Sequence, residues 1–450
     1  MTPRTPAPAT PAPRRAWPRP ALGLVLLPLP WVLAGALASL GWLSATKVWW
    51  VAAALVLLAL LDLLLLRRVA TPTVVRDAPE AWALGVEREV ALRLQHAGPP
   101  LRVEVHDLHP GEWAVRDLPR TVVLRAGEET VLPYRLTPGA RGPYVFTGTQ
   151  LRLHSPMRLW RQSRTVGGDV PVRVFPNFAP LAGVAMFTAE QASRLVGAHV
   201  RRRRGEGTDF HQMREYRVGD SLRQIDWKAT ARARRLISRE YQDEKNQQLM
   251  LVLDTGRRML AQEQGLSHFD RALDAALLVS YIALKRGDAV GLATTGEAPR
   301  WVAPCRGMAA LDTLIGASYD LQPAPVATDY LATATQLALR QRRRALVMLV
   351  TNLRDEDIDE VLAAVRVMQQ RHLVVVASLR EQELDEALDA PVEGVRDAAR
   401  MGAVARYIAE RTAAHDLLRS QRVMVLDVTC DQLPAALVEQ YMAVKRSGLL

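Results

Sequence analysis

Two long apolar blocks near the amino terminus, Ala21–Leu43 and Val48–Leu66, are separated only by the turn "SATK", Ser44–Lys47. They run to about 23 and about 19 residues, against the ~20 that a helix needs to cross a bilayer. Such blocks predict two membrane spans. A cleaved signal peptide is the competing reading, but the first block exceeds the usual apolar core of ~7 to 15 residues and a second block follows at once. Cationic flanks set the orientation. Arg4, Arg14, Arg15 and Arg19 precede the first block, Arg67 and Arg68 follow the second, and only Lys47 lies between. Under the positive-inside rule both termini and everything globular face the cytoplasm, which places the chain in the inner (cytoplasmic) membrane. Asp62 lies inside the second block about one turn from Arg67 and is expected to snorkel to the headgroups. The Pro/Ala-rich residues 1–20, with few apolar side chains, are expected to be disordered.

The whole chain of 450 residues, 49% hydrophobic and 23% charged, is long enough for more than one packed core. A net charge of +11 suits anionic partners without choosing among lipid headgroups, RNA or an acidic protein surface. Cys305 and Cys430 are the only cysteines, so a disulfide framework is not expected. Over residues 73–178 short alternating runs predict half-buried strands: Leu101, Val103 and Val105 against Arg102, Glu104 and His106, then Val170, Val172 and Val174. The turns between them, "RAGEET", "TPGARGPY" and "VGGD", suit an antiparallel β-sandwich-like domain. His106, His109 and His154 lack other ligands at metal spacing and read as strand or surface histidines.

From residue 246 to 450 the pattern becomes strand, helix, strand, helix. The runs "QLMLVLD", "AVGLATT", "ALVMLVTN", "LVVVASL" and "RVMVLDV" have the branched texture of buried parallel strands, and amphipathic stretches lie between them. This predicts an α/β, doubly wound, Rossmann-like sheet with any ligand at the carboxyl ends of the strands, and "RWVAP" as an antiparallel edge. The first strand ends in "LDTGRRM". An aspartic-protease tripeptide would need a second copy in an all-β fold. A phosphotransferase nucleophile would want a second acid where Gly256 stands. A von Willebrand A type metal site would put Asp254 first, with hydroxyls where this chain has Gly256 and Arg258.

Residues 179–245 carry the densest charge. "REYRVGDSLRQIDWKATARARRLISREY" holds no triad, no cysteine and no phosphate-binding glycine loop. It reads as an interdomain element or a docking surface. Val218–Ser221 would form a turn in which Asp220 or Ser221 caps a short helix, with Leu222, Ile225 and Trp227 facing inward. Glu215, Asp220 and Asp226 would pair among Arg214, Arg217, Arg223, Lys228 and Arg232. The run Arg201–Arg204 reads either as a solvated charge run or as a headgroup contact worth about 1 kcal/mol per residue.

The residues Arg214-Glu215-Tyr216-Arg217, Gly219-Asp220, Ile225-Asp226-Trp227-Lys228 and Ala231-Arg232 resemble the signature of the DUF58 family. The two amino-terminal spans, "RGPYVFTGTQLRLHSPMRLW" and the terminal "LPAALVEQYMAVKRSG" fit the same plan. The resemblance implies a von Willebrand A like domain and a MoxR-type AAA+ ATPase as partner in assembly or maturation of protein complexes. It also implies a metal site at Asp254, Thr328 and Asn352, degenerate because Gly256 has no hydroxyl, Arg258 is cationic and Asn352 is neutral. Arg258 or Arg257 would then pair with Asp254, leaving no cofactor, or at most a weak Mg²⁺ held through water. The expected function is a membrane-anchored, non-enzymatic interaction scaffold. The alternatives are a divalent-metal enzyme using Asp254, with Asp355 and Asp357 nearby in sequence, and an anionic-lipid or nucleic-acid binder. For nucleic acid only Tyr216 and Trp227 offer stacking rings.

Overall fold

The computed structural model describes residues 13–181, 209–217, 222, 225–242, 247–296 and 299–449. Arg201–Arg204, Gly219, Asp220 and the turn expected at Val218–Ser221 lie outside the described residues. The chain divides into two units, Met1–Phe175 and Pro176–Leu450.

In the first unit the leading apolar block folds as Leu22–Leu26 and Leu29–Ser39, and the second as Ala45–Arg68. The break falls at Leu27–Pro28, where a proline has no N–H to continue the helical ladder, while Pro30 sits in the first turn of the second piece and costs nothing there. Leu22–Ser39 and Ala45–Arg68 are long and apolar enough to cross a membrane, with mean hydropathies of 1.9 and 2.5.

Three sheets follow. One runs in the order Arg14–Arg15, Trp160–Val166, Thr149–His154, Leu101–Asp107, Arg120–Leu124, with Arg19–Pro20 also on Trp160–Val166. A second is Thr73–Asp77, Arg88–Gln95, Glu129–Thr137, Ala114–Arg116, and a third Gly142–Phe146, Val170–Phe175, Ala81–Ala83. Alternation fills the core with Leu92, Leu94, Val103, Val105, Leu151, Leu153, Val172 and Val174. Asp107 joins the first two sheets: its buried carboxylate accepts from Arg76 Nε at 3.0 Å, from Thr149 Oγ1 at 2.8 Å and from the Tyr134 hydroxyl. Two sequence expectations need correction here. Residues 13–20 are not structureless, because Arg14–Arg15 and Arg19–Pro20 pair antiparallel with Trp160–Val166; a sheet edge recruits backbone groups whatever the side chains.

Asp62 does not snorkel. It is fully buried, and its carboxylate accepts from Ser155 Oγ at 2.5 Å, Met157 N at 3.0 Å and Leu159 N at 3.2 Å. Trp160 Nε1 donates to the Ala59 carbonyl at 2.8 Å, one turn earlier on the same helix. Where that helix ends, the buried Arg164 guanidinium donates to the carbonyls of Leu66 at 3.0 Å and Val69 at 2.6 Å. These are carbonyls that a helix terminus leaves without partners. Ala21 N donates to the Leu159 carbonyl at 2.9 Å, and at Gly23 a Cβ would stand 2.7 Å from the Arg158 carbonyl oxygen. The turn at 155–160 is thus clasped between both helices.

The second unit is built on a sheet ordered Trp301–Cys305, Ala289–Thr294, Gln248–Leu253, Leu346–Thr351, Leu373–Arg380, Met424–Thr429. All neighbours are parallel except the Trp301–Cys305 edge. Its four inner strands are buried on both faces by two separate cores, one gathering Phe269, Leu273, Leu277 and Leu437, the other Tyr330, Leu337, Val361 and Val365. That double burial is why the strands read as unbroken apolar runs. The described residues from 247 onward are therefore α/β, preceded in the chain by the apolar helices and the β-rich region.

Candidate functional site at the carboxyl edge of the sheet

Gln248–Leu253 lies centrally in the sheet, so the next residue, Asp254, emerges where the carboxyl ends of neighbouring strands converge. It is fully buried, and its carboxylate is surrounded by donors. Oδ1 accepts from Gly256 N at 2.8 Å, Thr328 Oγ1 at 2.6 Å and Thr295 Oγ1 at 3.1 Å. Oδ2 accepts from Thr351 Oγ1 at 2.6 Å and the Tyr330 hydroxyl at 2.9 Å. Five donors occupy roughly the four lone-pair positions that a carboxylate offers. Burial and the adjacent charge push the Tyr330 hydroxyl well above its ordinary range, which keeps it a donor.

Gly256 has a steric reason. A Cβ there would lie 2.0 Å from Thr328 Oγ1 and 3.2 Å from Asp254 Oδ1. The Thr328 hydroxyl thus fills the space that a serine at 256 would enter.

Of the three residues expected to form a metal site, Asp254 and Thr328 are in direct contact, and Asn352 is not with them. The buried Asn352 donates from Nδ2 to Glu381 Oε1 at 2.9 Å and accepts from Arg411 Nη1 at 3.3 Å. The residue before it, Thr351, points to Asp254 instead, because successive strand residues face opposite ways. Nor do the arginines pair with Asp254. Arg258 binds Asp357 at 2.6 Å and Glu356 at 2.8 Å, with Arg257 4.0 Å from Glu356, so both turn towards the acidic loop rather than the strand end. Asp355 and Asp357 belong to that loop and do not join Asp254.

A second network lies farther along the edge. Arg411, buried on the helix Val395–Ser420, donates to Asp427 Oδ1 at 3.0 Å, Ser378 Oγ at 2.6 Å and the carbonyls of Leu353 and Leu379 at 2.7 and 2.6 Å. His415 lies one turn on, 3.6 Å from Asp427; burial and the Arg411 charge hold its pKa well below the imidazole norm. Glu263, His268 and Cys430 also meet, with potential ligand atoms within 4.8 Å of one another. That donor set suits zinc better than magnesium. Burial lowers the His268 pKa and, with the Glu263 carboxylate alongside, raises that of the Cys430 thiol far above its usual range, so the thiol is protonated. Their separation in sequence gave no spacing signal.

The charged segment at 209–242 folds as a strand pair carrying a short helix. Asp209–Glu215 runs antiparallel to Ile237–Gln242, and Trp227–Ala233 lies between them in sequence. The cap is Asp226, accepting from Ala229 N at 3.0 Å. Ile225 is buried as expected, but Leu222 is exposed and Trp227 is 66% exposed, so the inward placement expected of both is corrected. Asp226 capping and a bond from Ile237 N to Thr230 Oγ1 at 3.0 Å hold the helix by its polar groups, and none of its side chains is buried. Lys228 and Arg232 are exposed with Trp227. Arg214 and Tyr216 are half-buried, while Arg217 and Glu215 are exposed; Glu215 faces Arg235 at 3.7 Å across solvent.

Residues 212–413 match the family model described as "Protein of unknown function DUF58". No curated protein matches the chain. Among solved structures, an aerotolerance-related membrane protein from Bacteroides fragilis NCTC 9343, carrying multiple mutations to serine, is similar at 18% identity over 43% of this chain and 97% of its own, with a TM-score of 0.27. Native alpha-2-macroglobulin from Escherichia coli, from domain MG7 to its C-terminus, matches at 18% identity and a TM-score of 0.20, over 24% of this chain and only 17% of that one. Proximal thread matrix protein 1 from the mussel byssus matches at 10% identity and a TM-score of 0.26, over 45% of this chain and 46% of its own. Likenesses this weak say nothing about what the chain does.

Proposed function

We propose that this chain, which belongs to the DUF58 family, is a membrane-anchored, non-enzymatic scaffold whose α/β unit docks a partner protein. The partner we propose is a MoxR-type AAA+ ATPase, acting with it in assembly or maturation of protein complexes. The observation that carries the docking reading is Trp227. An indole 66% exposed, on a short helix that also carries the exposed cations Lys228 and Arg232, has the composition of an interface anchor. Tryptophan and arginine dominate binding energy where they are found at interfaces.

The non-enzymatic reading is supported by how fully the acids at the strand ends are engaged. Asp254 holds five protein donors, Asp427 is shared by Arg411 and Arg380, and Asp357 faces Arg258. We read the Asp254–Thr328 pair as a von Willebrand A type site in which hydroxyls replace the cation. Its metal independence belongs to the same proposal. The flanking arginines support a topology with both termini and both units on the cytoplasmic side of the inner membrane. A reporter fused after Leu450 tests this: activity only in the cytoplasm is expected, and extracytoplasmic exposure would overturn the orientation. Affinity purification of the full chain from solubilised membranes tests the partner. An AAA+ ATPase should be recovered with the wild type and lost with Trp227→Ala; recovery of no ATPase would overturn the partnership.

A further inference from the structure

The clasp at Asp62 fixes a depth. Counted at about 1.5 Å per residue from Lys47, a hydrocarbon core of roughly 30 Å ends near Leu66, which leaves Asp62 about 6 Å inside its edge. Ser155, Met157 and Leu159 bond to that carboxylate, so the turn that carries them stands at the same level. Met157 at the tip is 50% exposed, as suits a side chain in contact with acyl chains.

Beside this turn opens a cleft of about 770 Å³. Leu65, Arg68 and Val69 line it from the helix end, Arg158 from the turn, and Arg102 and His96 from the β region. The guanidinium groups of Arg68, Arg102 and Arg158 form no salt bridge among the described residues. The one acid in the wall, Glu104, is already taken by Arg152 at 3.0 Å and His106 at 2.9 Å. The cleft therefore presents three uncompensated cations. His154 adds no charge at neutral pH, since burial lowers its pKa. His96 is 4% exposed, and its Nδ1 has no hydrogen-bond partner. Arg158 holds a left-handed backbone, φ 54°, where a glycine would cost less; the turn keeps a long cation there against its conformational preference.

Cations near the edge of the hydrocarbon core, beside an apolar wall of Leu65, Pro99, Pro100 and Pro156, match an amphiphile with an anionic head. We infer that this cleft binds the phosphate-bearing headgroup of an anionic phospholipid, drawn from the leaflet at which the β region sits. The inference rests on reading residues 22–68 as membrane-spanning.

The test uses the full chain in nanodiscs of phosphatidylcholine with phosphatidylglycerol as a minority lipid, and native mass spectrometry counts the lipid that stays bound. Preferential retention of phosphatidylglycerol is expected, lowered about thirtyfold in Arg102→Gln/Arg158→Gln and unchanged in Arg67→Gln, which lies outside the cleft. An equal loss in Arg67→Gln, or equal retention of both lipids, would overturn the cleft as a site. Displacement of the lipid by millimolar inorganic phosphate would make it a site for soluble phosphate instead, and overturn the lipid assignment. Release of the full chain from native membranes by alkaline carbonate without detergent would sink the membrane reading itself, an outcome separate from the other three.

Discussion

Asp62 and Asp254 are both fully buried carboxylates, one in an apolar helix and one at the end of a central strand. Their donors differ. Two of the three hydrogen bonds to Asp62 come from backbone N–H groups of a single turn, while four of the five to Asp254 come from hydroxyls on three separate segments. A backbone N–H has a fixed direction, so Asp62 specifies where a turn must sit. A hydroxyl can rotate and find another acceptor, so Asp254 gathers loops that retain other options. The first is an anchor between a helix and a sheet edge, and the second is a carboxylate around which several loop and strand ends are gathered. Arg164 and Arg411 repeat the lesson with opposite charge, each buried and each spending its donors on carbonyls.

The largest expected loss is at Arg411. Replacement by Ala leaves two carbonyls and Ser378 Oγ without their donor and removes a buried partner of Asp427, so the α/β unit should lose about 3–5 kcal/mol, read by thermal unfolding of the solubilised chain. Asp62→Ala should cost about 2–3 kcal/mol, because the Met157 and Leu159 amides keep their direction but lose their acceptor. Limited proteolysis should then cut first within residues 155–160. If Asp254→Ala proved costlier than Asp62→Ala, the contrast between directed and rotatable donors would fail.

Acid sharpens the comparison. His268, His372 and His415 all have pKa values lowered by burial, so they stay neutral in the folded chain while the unfolded chain takes up protons below about 6.5. A depressed folded value means that the stability is present above the unfolded pKa and lost as the pH falls through this window. Each histidine should contribute up to about 1.4 kcal/mol per pH unit, and unfolding curves recorded from pH 7 to 5 should show the decline in the second unit. The smallest effect is expected at Trp227. With the indole mostly in solvent, Trp227→Ala should change stability by no more than about 0.5 kcal/mol while partner recovery collapses. A loss of several kcal/mol would return Trp227 to a structural role.

What the sequence made legible follows from how local each signal is. The parallel strands were readable because burial on both faces leaves an unbroken run such as Leu346–Thr351. Asp254 and Thr328 were paired through the resemblance to a von Willebrand A type site, not through any spacing between them, and the two do meet in the fold. Tyr330, Thr295 and Thr351 were missed since each reaches the same carboxylate from a different element, and no spacing along the chain encodes that convergence. Asn352 was misassigned by one residue, which in a strand means the opposite face. Asp62 meets Ser155 across 93 positions, and only the folded turn shows that a carboxylate in an apolar helix has three donors waiting. Trp227 was misplaced because an aromatic in a charged segment reads equally as a core plug or an interface anchor.

That protein hydroxyls satisfy Asp254 in place of a cation is the central proposal. Calorimetric titration of the full chain in detergent with Mg²⁺ and Mn²⁺, repeated on Asp254→Ala, tests this directly. The account predicts no saturable heat from either protein, because a cation would have to displace the hydroxyls of Thr328 and Thr351, each 2.6 Å from the carboxylate. Micromolar binding in the wild type that disappears in Asp254→Ala would contradict it and return the carboxyl edge to metal chemistry.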